Sequence, residues 1–218
     1  MKFIMKDNLH AQSTAKFIQS QATLDLVDKL SPFVTFEKYP ARSRFYYFAD
    51  GVAMCYIVRS GQIKVHRDAD ELVIAAIPVP NVCGISNASA ITNTVFLETL
   101  SDTEIAILTT AKAQQLVAKT NAWESLAGHI AKVTTNLYHH NVIMTAPTTY
   151  EVVRFQLLTL MQEDTSIRET TSAAKYILER TRVSRSTVMK ILAQLRQGNY
   201  IELDDGVLKA IHHLPAKY

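Results

Sequence analysis

The chain has 218 residues, 48% of them hydrophobic and 20% charged, with a formal net charge of +3. That is the composition of a folded globular protein with one large or two modest cores, and it excludes a disordered or collagen-like chain. Two cysteines, Cys55 and Cys83, rule out a multi-disulfide scaffold and any four-cysteine zinc or iron–sulfur site.

Lys2 is followed by a brief Phe-Ile-Met run, which Lys6 and Asp7 interrupt before a signal-peptide core could form. The longest uncharged run, Leu72 to Leu97, carries Pro78, Pro80, Gly84 and several Asn and Ser residues, so it is no membrane span. A cytoplasmic protein without a membrane partner is expected. Leu24 to Leu30 reads as a short helix ended by Ser31-Pro32. From Phe33 to Leu108, segments rich in Val, Ile, Tyr, Phe and Thr are broken by Asp50-Gly51, Ser60-Gly61, Asp68 to Asp70 and Ser101-Asp102. Turn signals at that spacing predict an antiparallel sandwich or barrel. Within it Tyr46, Tyr47 and Phe48 either line a small-molecule cavity or form ordinary barrel core. Thr110 to Lys119 returns to helical composition.

Trp123, Leu126, Ile130, Val133, Leu137, His140 and Met144 are spaced alternately by three and four residues. This is an a/d seam over three heptads. A strict 3.5-residue seam is narrower than the face a helix turns to its own core. It therefore predicts a two-fold coiled coil with His140 facing its symmetry mate; the competing reading is a long helix packed on its own barrel. Ala146-Pro147 ends the helix and marks a domain junction.

Beyond the junction, Ser172 to Thr181 reads as a short helix with Ile177 and Leu178 inward, and Arg182-Val183 as a tight connection. Ser184 then caps a second helix whose apolar residues Val188, Ile191, Leu192 and Leu195 recur at i, i+3, i+4 and i+7. Its other face offers Arg185, Ser186 and Lys190 to something anionic. Helix, short turn and helix with an exposed polar N-terminal face is the helix-turn-helix pattern, whose second helix enters the DNA major groove. Ile201 to Ile211 carries apolar residues on both sides of Asp205-Gly206, a pair suited to a type I′ turn, and so reads as a two-stranded wing. Between Arg180 and Arg196 there are five basic residues and no acidic one, a local patch suited to phosphate. Lys209, in the wing, is expected to act on phosphate as well.

The order of these elements resembles the cyclic-AMP receptor protein and fumarate–nitrate regulator (CRP/FNR) superfamily of bacterial transcription factors. The match runs over nearly the whole chain after about residue 20. Ser184-Arg185-x-Thr187-Val188-x-Lys190-Ile191-Leu192 is similar to its recognition-helix signature, and Tyr56-Ile57-Val58-x-x-Gly61 to its barrel strand and turn. The resemblance implies an α+β fold: an antiparallel, cyclic-nucleotide-binding-like β-roll over 1–120, a dimerisation helix over 121–146 and a winged helix-turn-helix over 147–218. It implies a homodimer on an inverted repeat of double-stranded DNA, with RNA polymerase as a further partner. Arg185 and Lys190 match residues that read bases, and Ser184 and Thr187 match residues that hold phosphates; Arg182 and Ser186 complete the DNA-facing set. Leu178 and Arg182 stand where the family usually has a small residue and Gly. Ser186 stands where the best-known member has an acidic residue accepting from cytosine, so the half-site should differ.

The effector cassette departs from the family. Cyclic-nucleotide binders carry Gly-Glu-Leu-Gly and then Arg-Ser-Ala, which clamp ribose and cyclic phosphate. Here Gly84-Ile85-Ser86-Asn87 puts Ile85 at the ribose-binding glutamate, and Asn93-Thr94 stands where Arg-Ser should be. No charged residue replaces the lost cation between Glu71 and Glu98, so cyclic AMP binding is not expected. The overall pattern most resembles the enterobacterial subgroup called inhibitor of hydrogen peroxide resistance, which makes Cys55 and Cys83 candidate redox residues. Buried cysteines acting as small apolar side chains are the commoner case. His129, His139, His140, His212 and His213 lack metal-ligand spacing with partners, so neither metal nor cofactor is expected. No nucleophile–base pair, Gly-rich phosphate loop or carboxylate dyad with supporting context points to an enzyme. Two readings remain: a dimeric DNA-binding regulator whose barrel does not take cyclic nucleotides, and a protein-interaction module on a winged-helix scaffold. Arg185, Thr187 and Lys190 discriminate for the first.

Overall fold

The computed structural model describes residues 20–86 and 94–215. Helix α1 (Gln21–Leu30) runs into a single 3-10 turn at Ser31–Phe33, where Pro32 cannot continue an α-helical ladder. The strands that follow are β1 (Glu37–Tyr39), β2 (Arg44–Tyr46), β3 (Phe48–Ala49), β4 (Val52–Ser60), β5 (Ile63–Arg67), β6 (Val73–Ile77), β7 (Asn81–Cys83), β8 (Val95–Thr99) and β9 (Thr103–Thr109). Then come α2 (Thr110–Lys119) and α3 (Trp123–Met144). The rest is α4 (Thr149–Leu160), α5 (Thr165–Arg168), α6 (Ala173–Leu178), α7 (Arg185–Gln197), β10 (Ile201–Asp204) and β11 (Val207–Ile211). The chain divides into two compact units, and the division falls inside α3, between Leu137 and Tyr138.

In the first unit the strands form two antiparallel sheets, β1-β9-β4-β3 with β7 also paired to β4, and β2-β8-β5-β6. This is the antiparallel two-sheet architecture that the turn spacing predicts, in the form of the β-roll that the resemblance implies. Strand β4 is buried on both faces from Cys55 to Val58. Because side chains alternate along a strand, Cys55 and Ile57 turn to one layer and Tyr56 and Val58 to the other. The first pair packs with Leu26 and Leu30 of α1, Leu116 and Val117 of α2, and Leu126 of α3. The second pair lies inside the roll with Phe45, Ile63, Leu97 and Ile105. A strand between two apolar layers loses its alternation, which is why this segment reads as a continuous apolar run.

Helix α1 starts at Gln21, three residues before the Leu24 expected from its apolar pattern. The added turn is held by a polar contact: Thr23 is buried, and its hydroxyl lies 2.9 Å from Nδ1 of His129 on α3. His129 is also buried, and burial pulls its pKa below the ordinary value, while a hydrogen bond to the Val82 backbone opposes the shift. Helix α6 ends at Leu178, three residues short of Thr181, whose hydroxyl instead donates to the Ile177 carbonyl at 2.9 Å. The Ala146-Pro147 stop agrees with the end of α3 at Met144.

A depressed histidine pKa ties stability to pH. The unfolded chain takes up a proton near the ordinary pKa of about 6.5, whereas native His129 stays neutral there. The stability it contributes is whole above that pH and is lost as pH falls through the window below it. Half-buried His140, lowered by burial and then by His139, acts in the same direction. Melting temperature should therefore fall between pH 7.5 and 5.5, with a slope of at most about 1.4 kcal/mol per pH unit for each group. His129→Gln should flatten that slope; an unchanged slope in thermal melts would remove His129 from the account.

Candidate nucleic-acid interface

Two serine caps set the helix pair. Ser172 Oγ accepts from the Lys175 amide at 3.3 Å at the start of α6, and Ser184 Oγ accepts from the Thr187 amide at 3.2 Å at the start of α7. The Ser184 hydroxyl also shares hydrogen bonds with Thr187 Oγ1 at 2.8 Å and Ser186 Oγ at 3.0 Å. Helix α7 then buries Val188, Ile191, Leu192 and Leu195 among Leu157, Tyr176, Ile177 and Leu208. What remains outside follows from that rotation. Arg185, Ser186 and Lys190 are exposed on the N-terminal half of α7, with Arg182 and Ser184 exposed just before it and Thr187 half-buried. Met189 joins them, 49% exposed, which the apolar pattern alone does not single out.

Strands β10 and β11 pair antiparallel from Ile201↔Ile211 to Asp204↔Val207. Asp205 at φ 47° and Gly206 at φ 81° both adopt the left-handed backbone that a type I′ turn requires. The turn is tied to the first helix of the motif: the Ala173 amide donates to the Gly206 carbonyl at 2.8 Å. Lys209 is exposed on β11, but its Nζ lies 3.9 Å from Asp204 Oδ2, and Asp205 sits at the same tip. Its charge is thus partly offset by its own wing.

The basic patch is smaller than the sequence implies, because Arg180 is not on the surface. It is buried, its guanidinium 3.5 Å from the centre of the Tyr176 ring, with Nη1 donating to the Tyr176 carbonyl at 3.3 Å and Nη2 3.8 Å from Glu163. Tyr176 in turn donates to Glu163 at 2.6 Å. Burial is the main reason the Tyr176 pKa is raised. The exposed cations between 180 and 196 are Arg182, Arg185, Lys190 and Arg196.

On α3, Trp123, Ile130, Val133 and Leu137 are exposed, Leu137 to 64%, while His140 and Met144 are half-buried. Leu126 departs from the seam expected of it, since it is buried within its own chain among Leu30, Val82 and Leu116. At about 100° per residue, the edge of an a/d seam and the edge of a core-facing stripe overlap at such a position.

Aromatic side chains pack inside the β-roll. Tyr47 packs there against Tyr56 with ring centroids 5.9 Å apart, and Phe45 against Tyr56 at 5.5 Å. Of the three aromatics considered as cavity lining, only Tyr47 points inward; Tyr46 is exposed and Phe48 half-buried, as strand alternation requires. Ile85 is buried with the helix-facing residues, not with those inside the roll. Asn87 and Asn93 lie outside the described residues. Tyr56 pairs directly with Cys83 in the β4–β7 register, so Cys83 shares the inner face while Cys55 faces the helices. Both are free, buried thiols. Burial pushes both pKa values up, Cys83 to about 12 despite a hydrogen bond with Tyr47 that lowers it. Neither therefore offers a thiolate at neutral pH. His139 meets Phe155 edge-on at 5.7 Å, and His212 Nε2 lies 2.8 Å from Glu202 Oε1. Among the described residues no group of three His, Cys, Asp or Glu could hold a metal ion, and no helix is long and apolar enough to cross a membrane.

Residues 149–216 match the family model described as winged helix-turn-helix DNA binding. A relative named inhibitor of hydrogen peroxide resistance, from Salmonella typhimurium, is 25% identical over 207 residues, which cover 89% of this chain and all of the relative. Two solved structures share the fold. The c-di-GMP-responsive global regulator CLP of Xanthomonas campestris superposes with a TM-score of 0.68 at 15% identity, over 87% of this chain and 100% of its own. A transcriptional regulator of the CRP/FNR family from Eubacterium rectale gives 0.57 at 15% identity, over 86% of this chain and 90% of its own. The chain therefore has the fold of these two solved structures, its residues 149–216 match the winged helix-turn-helix DNA-binding family, and over most of its length it is similar to the relative named inhibitor of hydrogen peroxide resistance.

Proposed function

We propose that this chain is a homodimeric, sequence-specific DNA-binding regulator whose barrel takes no cyclic nucleotide, and that it acts in the response to hydrogen peroxide. In this reading residues 1–120 are a degenerate sensor, 121–146 the dimerisation helix and 147–218 the DNA-binding part, with RNA polymerase a further partner. The observation that carries it is the outer face of α7. Arg185, Ser186 and Lys190 stand exposed together on a helix whose back is core, with no acidic residue between Arg180 and Arg196. Such a face suits phosphate attraction and base-edge contacts at once. The peroxide role rests on the name of the Salmonella relative.

Fluorescence anisotropy on specific and scrambled duplexes at several salt concentrations tests the DNA reading. Arg185→Ala should cost about 1–3 kcal/mol on the specific duplex and relax preference at one base pair. Lys209→Ala should weaken all duplexes alike and lower the salt slope by less than about one unit, since Asp204 already offsets part of its charge. Equal losses for Arg185→Ala on both duplexes would reduce that residue to a phosphate contact. Absence of wild-type binding to any genomic fragment would shift the function to protein interaction on the same scaffold.

The dimer is supported by Ile130, Val133 and Leu137, apolar side chains on one stripe of α3 that their own subunit leaves exposed. Burying each against its mate is worth about 1.5–3 kcal/mol. Ile130→Asp combined with Leu137→Asp should sediment as a monomer; a wild type that is itself monomeric at micromolar concentration would end the seam reading.

For the barrel, Ile85 offers no acceptor to ribose hydroxyls, and Phe45, Tyr47 and Tyr56 pack inside it. Calorimetric titration with cyclic AMP should give only heats of dilution. A saturable micromolar isotherm would contradict this.

A further inference from the structure

The exposed face of α7 is not uniformly polar. Met189 stands on it 49% exposed, although Val188 before it and Ile191 after it are buried in the core of the same unit. At about 100° per residue, Met189 lies about 40° round the helix from Arg185, about 60° from Ser186 and about 100° from Lys190. Ala193, one turn further on and also exposed, falls between Met189 and Ser186 on the same projection. The centre of the face is therefore a small apolar strip, with a cation on either side and no carboxylate near it in sequence. Single exposed apolar side chains are common on surfaces, so exposure alone decides nothing. The flanking charges are what give this one a direction. A surface drawn to a polyanion by Arg185 and Lys190 brings Met189 against whatever lies in the groove between their targets.

The major groove presents one apolar group, the C5-methyl of thymine. A thioether is unbranched and polarizable, and it adapts to an irregular apolar contact without needing a hydrogen-bond partner. We propose that Met189, backed by Ala193, is a specificity-determining residue that reads a thymine methyl, so that each half-site carries an A·T pair next to the pairs contacted by Arg185 and Lys190. This rests on the DNA-binding reading given above and adds to it the identity of a base.

The test uses the full chain and a duplex selected by it from a random pool. Each half-site thymine is replaced singly by deoxyuridine, which loses the methyl and keeps every hydrogen-bonding group. One such replacement in each of the two half-sites should weaken wild-type binding about fifteenfold, about fourfold for each methyl-sized group that loses its burial. Met189→Ala should bind the thymine duplex about as weakly as wild type binds the uracil one, and should not distinguish the two. Arg185→Ala should bind more weakly throughout while keeping the distinction. Met189→Leu, which preserves an apolar tip, should keep it as well. Unaltered melting of the Met189 variants excludes misfolding as the cause, since the side chain takes no part in the core. If wild type selects a sequence yet binds thymine and uracil duplexes equally at every position, or if Met189→Ala retains the distinction, the assignment of Met189 is overturned while the DNA reading stands. If wild type selects no sequence at all, the DNA reading itself has failed.

Discussion

Burial of Val188, Ile191, Leu192 and Leu195 fixes the rotation of α7 about its axis, and every solvent-facing residue of that helix follows from it. A helix can turn only one stripe inward. With that stripe locked among Leu157, Tyr176, Ile177 and Leu208, neither Arg185 nor Lys190 needs a partner to hold it outward. The Ser184 cap sets the starting point of the same helix, and so fixes how far its first turn projects. The wing hangs on the same core through Ile201 and Leu208, and on α6 through the backbone bond from Ala173 to Gly206.

Charge in the C-terminal unit is sorted by depth. Arg180 is spent internally, where its stack on Tyr176 and its approach to Glu163 join α6 to the segment after α4. A buried ion pair of this kind contributes little net stability, because desolvation offsets the attraction; removing one partner is what costs. Its neighbours Arg182, Arg185, Lys190 and Arg196 stay outside. The wing tip adds carboxylates, Asp204 and Asp205, so exposed basic side chains outnumber acidic ones on α7 and not on the hairpin.

Much of this is legible from the sequence where a local rule applies. The Trp123 to Met144 helix has the bounds that its heptads and Pro147 predict, and Asp205-Gly206 makes the turn that its residue types require. Most of the misses turn on packing partners that the local pattern does not place. Thr23 enters a helix and becomes buried because of a partner 106 residues away, which no window of local pattern contains. Arg180 counts as surface charge until Tyr176 and Glu163 are placed around it. Leu126 fits the seam period as well as Ile130 does; only the position of the barrel tells them apart. Met189 is apolar and so looks like core by composition, yet lies outside by rotation.

The β4–β7 register carries one more consequence. Tyr56 and not Cys55 stands opposite Cys83, so a single step of the pleat separates the two thiols onto opposite faces of one sheet. A disulfide needs its two Cβ atoms to approach within about 4.5 Å and to point toward each other, which this parity forbids without unpairing the strands. The chain holds no third cysteine. A sulfenic acid formed at either thiol would accordingly have no resolving thiol in its own folded chain, and would return to the thiol only through a small-molecule or partner thiol, or else advance to the irreversible sulfinic state.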